Sequence, residues 1–153
     1  MRLLLVVALI SSLLPATGAV ECVCLQEPHP SEEKVKANRK QAYNEATAVF
    51  AGKVVALDPY TVKFRLEKRW KGDSGAEVLL STGAVPGFDG SPLPEECSYQ
   101  FHLSEEYLVY TYGAAEKMKA NSCLTLLIKN AAAEENGLDE ITLHKVIRET
   151  VNE

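Results

Sequence analysis

Polar and apolar residues alternate along residues 62–67, where Val62, Phe64 and Leu66 fall on one side and Lys63, Arg65 and Glu67 on the other. A period of two marks a strand with one buried and one wet face. This strand runs into a turn at Trp70-Lys71-Gly72-Asp73. Ala48 to Leu57 is a second strand-forming run, rich in Val49, Phe50, Val54 and Val55, with Gly52 expected at a bend or bulge and Asp58-Pro59 supplying the turn. Glu77 to Thr82, Tyr99 to Phe101, Tyr107 to Tyr112 and Ser122 to Leu127 read as further short strands. Gly83 to Pro94 holds three glycines and three prolines with little periodicity and reads as a surface loop.

The period changes at both ends of this strand-rich region. Pro28-His29-Pro30 forms a stiff turn, and Ser31-Glu32-Glu33 supplies an N-cap with acids in the first turn. A helix over about residues 31–46 follows, with a weak apolar stripe of Val35, Ala42, Tyr43 and Ala46. In the tail, Asn136-Gly137 is expected to break any helix and Asp139 to cap a new one. Leu143, Ile147 and Val151 would share a face of that second helix. Five or six short strands with flanking helices predict a mainly β domain, a small closed barrel.

The first residues change the picture of the compartment. Arg2, an apolar run from Leu3 to Leu14 and the small residues Pro15-Ala16-Thr17-Gly18-Ala19 have the three zones of a cleavable secretory leader. The apolar run is about a dozen residues, short of the roughly 20 that span a bilayer as a helix. Residues 1–19 are therefore expected to be removed, leaving a soluble, secreted, extracellular chain of about 134 residues beginning at Val20. That is enough for one domain with a real core; we divide it into a β domain over residues 20–128 and a helical tail over residues 129–153. The formal charge of −5 becomes about −6 without Arg2. An acidic balance without an uninterrupted Lys/Arg run argues against nucleic acid or an anionic membrane as partner.

Four cysteines in a secreted chain read as two disulfides, and four cysteines allow three pairings. Cys22 and Cys24 lie two apart on an extended segment and point to opposite sides, so each is expected to reach Cys97 or Cys123. C-x-C is not the redox-active C-x-x-C arrangement, which favours structural bridges.

Several motifs now stand together: Cys22-Val23-Cys24 followed by Pro28-His29-Pro30, Val49-Phe50-Ala51-Gly52-Lys53-Val54, Trp70-Lys71-Gly72, and Cys97 followed by Phe101 and Tyr107-Leu108-Val109. With them the chain resembles the netrin-like family, and within it the N-terminal domain of the tissue inhibitors of metalloproteinases. The resemblance covers roughly Cys22 to Leu127. It implies an OB-fold, a five-stranded Greek-key barrel, with Cys22 paired to Cys97 and Cys24 to Cys123. It also implies a function, inhibition of a secreted zinc metalloproteinase by a monomer. The family's first cysteine chelates the protease zinc through its α-amine and carbonyl, at the coordination position a catalytic zinc keeps open.

Carried onto this chain, Cys22 is the chelator, Val23 the residue entering the substrate pocket, Cys24 its disulfide-held neighbour, and Glu95-Glu96 the second contact strand. The chain departs from the family in two ways. The family's third N-domain disulfide has no counterpart. Cleavage after Ala19 leaves Val20 and Glu21 ahead of Cys22, whose nitrogen is then an amide without a lone pair for the metal. Chelation requires trimming to Cys22, and the alternative is a non-inhibitory netrin-like module that binds another extracellular or matrix protein.

Other candidate chemistry is sparse. His29, His102 and His144 lie far apart and no zinc-ligand spacing is present, so no cofactor is expected. Glu95-Glu96 and Glu105-Glu106 lack a paired base or nucleophile, so an enzyme is not expected. Trp70, Tyr107, Tyr110 and Tyr112 read as barrel core and girdle in preference to a binding platform.

Overall fold

The structure is a computed structural model that describes residue 24 and residues 29–73, 75–95 and 98–151, with the backbone alone for Glu116, Asn130 and residues 144–151. The leader, Cys22, Val23, Glu96 and Cys97 lie outside the described residues, as do the side chains of His144, Ile147 and Val151. The chain forms α1 (Glu32–Glu45), β1 (Ala48–Leu57), β2 (Thr61–Lys71), β3 (Glu77–Ser81), β4 (Val85–Pro86), β5 (Pro92–Leu93), β6 (Glu106–Tyr112), β7 (Lys119–Ala120), β8 (Leu126–Leu127) and α2 (Ala132–Val151).

The sheet runs β1-β2-β3-β7-β6 and returns to β1, so five strands close a barrel, with β8 adding to β6. Every pairing in it is antiparallel except β3 with β7, where Ser81 lies beside Lys119. Strand three closing in parallel on strand five, and strand one on strand four, is the OB-fold topology. Gly52 falls at an irregularity between β1 and β2, as its position predicts, and a Cβ there would stand 2.8 Å from the Arg65 carbonyl oxygen.

Two cores explain why some strands alternate and others do not. Phe50, Val54, Val62, Phe64, Val78, Leu80, Tyr107 and Val109 fill the barrel. Val49, Ala51, Leu108 and Tyr110, the alternate residues of β1 and β6, form a second core with Tyr43, Trp70 and Leu138 beneath the helices. Strands β1 and β6 are thus buried on both faces for much of their length, whereas β2 sets Lys63 and Arg65 opposite the buried Val62 and Phe64. Helix α1 begins at Ser31, whose hydroxyl accepts from the Lys34 amide, and buries Tyr43. Its last turn has no basic residue of its own; Lys71 of β2 donates instead to the carbonyls of Tyr43 and Asn44, both at 2.8 Å. That places a cation at the negative end of the helix dipole.

Four expectations are corrected. Tyr99 to Phe101 is not a strand; its aromatic rings pack edge-on against Phe64 and Tyr107 at the barrel end, so its alternation records burial without a ladder. Within 83–94, β4 and β5 pair as a small hairpin. In 122–127 only Leu126–Leu127 is strand, because Asn121 bends the chain first: its carbonyl accepts from the Leu124 and Thr125 amides and its side chain from Cys123.

Helix α2 is the fourth correction, since it runs unbroken through Asn136-Gly137. A Cβ on Gly137 would stand 2.1 Å from Arg39 Nη1, so the missing side chain is what lets α1 lie close. Arg39 Nε donates to Glu134 at 2.9 Å across the two helices. Asp139 is not a cap; it accepts from Trp70 Nε1 at 2.7 Å and from Lys68 Nζ at 2.9 Å. Leu143 points outward, 60% exposed, while Leu138 is fully buried.

Candidate functional site

The described part of the candidate edge is built on one short stretch, residues 119–123. Cys24 and Cys123 form a disulfide with their Cα atoms 5.5 Å apart, bridging 99 positions of sequence. The turn that receives Cys24 is rigidly made. Asn121 N–H donates to the Tyr110 carbonyl of β6 at 2.8 Å, and Asn121 Oδ1 accepts from the Cys123 amide at 3.0 Å. Thr125, itself buried, donates its hydroxyl to the Asn121 carbonyl at 2.7 Å. An exposed N-terminal half-cystine is thereby fixed to the barrel wall through β6.

Glu95 reaches the same stretch by another route. Its carboxylate is ion-paired with Lys119 of β7, the residue beside Ser81 where the barrel closes. Gly83 makes this approach feasible: its φ is +83°, and a Cβ would come within 2.6 Å of Glu95 Oε2. The Glu95 carbonyl accepts from the Ser98 amide at 3.1 Å. Cys24 and Glu95, the two described members of the predicted edge, are thus both tied to residues 119–123. Lys119 and Asn121 are the supporting residues that sequence reasoning missed. Asn121 carried a signal, as a turn-forming residue before Ser122; Lys119 carried none.

Next to Glu95 the barrel end opens into a cleft of about 510 Å³ lined by Leu57, Pro59, Pro92, Pro94, Tyr99 and His102. The hairpin forms one wall and carries Phe88 wholly exposed at its tip. Asp89 shapes that tip by accepting from the Ser91 amide at 3.0 Å and from its hydroxyl, and these bonds hold its carboxyl below the usual range.

Among the titratable groups away from this edge, the Tyr110–Glu134 pair serves packing. Tyr110 donates to Glu134 at 2.5 Å, and burial, then the bond to that carboxylate, push the phenol well above its ordinary range. Trp70, Tyr107 and Tyr110 are buried, in keeping with core roles, whereas Tyr112 is 48% exposed. His29 and His102 are exposed, and among the described residues no three His, Cys, Asp or Glu side chains gather as a metal site. No helix among the described residues is long and apolar enough to cross a membrane. Comparison with known proteins finds no protein-family model that matches this chain and no curated protein sequence that matches it.

Proposed function

We propose that the protein is a secreted inhibitor of zinc metalloproteinases that acts through its disulfide-held N-terminal edge. The observation that carries this reading is the Cys24–Cys123 bridge, which fastens the N-terminal segment to a hydrogen-bonded turn on an OB barrel. A fixed edge loses little freedom on docking, so more of its contact energy appears as affinity. Cys22, two residues earlier, is the zinc chelator in this reading, Val23 the pocket residue, and Glu95-Glu96 the flanking contact.

The chemistry requires a free amine on Cys22. Mass spectrometry of the terminal peptide of the secreted protein tests this requirement, and titration against metalloproteinase catalytic domains tests the inhibition. A chain beginning at Cys22 is expected to inhibit, and Val23→Arg to abolish inhibition while the thermal melt is unchanged. A chain beginning at Val20 that inhibits nothing would overturn the reading.

A second reading, a non-inhibitory binding module of the netrin-like kind, is favoured by the hairpin. Val85, Phe88 and Leu93 are each at least half exposed on it beside the cleft, an arrangement typical of interaction surfaces.

A further inference from the structure

Among the described residues Phe88 is the most exposed large apolar side chain, and the turn around it is tightly made. The Gly87 carbonyl accepts from the Gly90 amide at 3.0 Å, and the Gly87 amide donates to the Ser91 carbonyl at 2.7 Å. Pro86 and Pro92 face each other just before and after this turn and stiffen the backbone that leads into it. A ring presented this way adds nothing to the core and stays in water at a cost that only burial removes. Docking it loses little freedom, because the backbone beneath it is already ordered.

The same hairpin borders the cleft of about 510 Å³, through Ala84, Pro92 and Pro94, and Leu57, Pro59 and Tyr99 line the rest. Pockets of about 300–1,000 Å³ take whole ligands, so an aromatic ring has room here. Phe88 does not enter the cleft of its own chain, since it is wholly exposed. Knob and hole therefore lie on one surface of one molecule. That is the requirement for an isologous interface, in which both partners use the same patch.

The polar groups match as well. Asp89 is the single charged residue between Gly83 and Pro94. Both Ser91 bonds fall on its Oδ1, so Oδ2 keeps acceptor capacity for an outside donor. The bond from the Ser91 hydroxyl, then that from its amide, holds this carboxyl below its ordinary range and keeps the tip anionic. A fixed carboxylate beside Phe88 opposes insertion into lipid, where it would be buried without a partner. The cleft supplies a donor in exposed His102, whose imidazole carries an N–H in either charge state. The carboxylate of the cleft itself, Asp58, is taken up within its own turn by the Tyr60 and Thr61 amides and the Thr61 hydroxyl.

Two seated rings bury about 300–500 Å² between them. Half-exposed Val85 and Leu93 on each hairpin, with the walls the rings cover, bring the total to roughly 1,000 Å², the lower end for specific association. An interface of that size makes a reversible pair.

We infer that the protein dimerises about a two-fold axis, each protomer seating Phe88 in the cleft of the other copy and setting Asp89 against that copy's His102. This departs from the monomer that the family resemblance implies. It uses the surface that favours the second reading above but rests on neither reading.

The test is sedimentation velocity of the full secreted protein from about 1 μM to about 1 mM. The expected result is a monomer–dimer equilibrium that closes at two, because each patch is used up in the pair. Phe88→Ser should weaken association about tenfold and leave the thermal melt at low concentration unchanged. Leu57→Arg, which puts a charge in the hole, should weaken it similarly. An equimolar mixture of the two variants should associate more strongly than either alone, since one intact knob then meets one intact hole. A parent that stays monomeric, Phe88→Ser association equal to the parent's, a mixture no stronger than its components, or growth past the dimer would each overturn the assignment. So would co-sedimentation of a monomer with phosphatidylcholine vesicles, which would give Phe88 to a lipid surface. Protease titration of the same variants reads inhibition separately, so either proposal can fail alone.

Discussion

Gly137 shows how one missing side chain can decide a local structure. By propensity, Asn136-Gly137 should end a helix, because glycine costs about 1 kcal/mol relative to alanine inside one. Here the helix persists because the space over Gly137 is filled by Arg39, whose guanidinium reaches Glu134. Glu134 also accepts from the buried Tyr110 hydroxyl, so the site joins α1, α2 and β6. Gly137→Ala therefore sets a gain in propensity against a clash with a held side chain, and overpacking of this kind costs about 1–3 kcal/mol. We expect a net loss of about 1 kcal/mol in urea denaturation. In an Arg39→Ala background the same change should become stabilising, because the obstacle is gone; a cycle with no coupling would refute the account.

At the scale of elements, α2 is the part of the fold least apparent beforehand and the part most dependent on polar tethers. Leu138 is buried against the barrel while Asp139 binds both Trp70 and Lys68. The bond to Lys68, then that to Trp70, holds the Asp139 carboxyl below its ordinary pKa. A carboxyl whose folded pKa is depressed adds stability in full above the unfolded value, near pH 4. That contribution fades as pH falls through the lowered folded value. Asp139→Asn keeps an acceptor for the indole but does not titrate. The parent should consequently lose more stability than Asp139→Asn between about pH 7 and about pH 3. Urea midpoints at the two pH values check this, and equal losses would assign the acid sensitivity to other carboxylates. Asp139 is half exposed, so the difference is expected to be small.

For the whole molecule, the barrel closes through little backbone pairing. Strands β3 and β7 share only the Ser81–Lys119 register, helped by the Ser81 amide donating to Met118 at 2.8 Å and by Glu95 on Lys119. The Cys24–Cys123 bridge reinforces the stretch just beyond this seam. Its chain-entropy contribution is about 4–5 kcal/mol for a loop of this size, and measured values commonly fall to 2–4. Cys24→Ser/Cys123→Ser is expected to lower stability by about 2–4 kcal/mol in chemical denaturation while far-ultraviolet circular dichroism keeps its β and helical bands. Loss of the native spectrum would mean that the barrel cannot close without the bridge.

The sequence by itself determined what short-range physics controls. The alternation at 62–67, the apolar run of β1, the Ser31 cap and the placing of Gly52 at a bulge were all legible, because each depends on neighbours within a few residues. The mainly β barrel followed from counting such strands. Tertiary structure alone decided the features that depend on residues far apart. Tyr99 and Phe101 alternate like a strand yet pack as rings, α2 crosses a glycine because Arg39 fills the gap, and Glu95 meets Lys119 only because β3 and β7 run side by side. Only pairing register brings Lys53 beside Arg65, since the contact joins chain segments whose spacing no local period encodes.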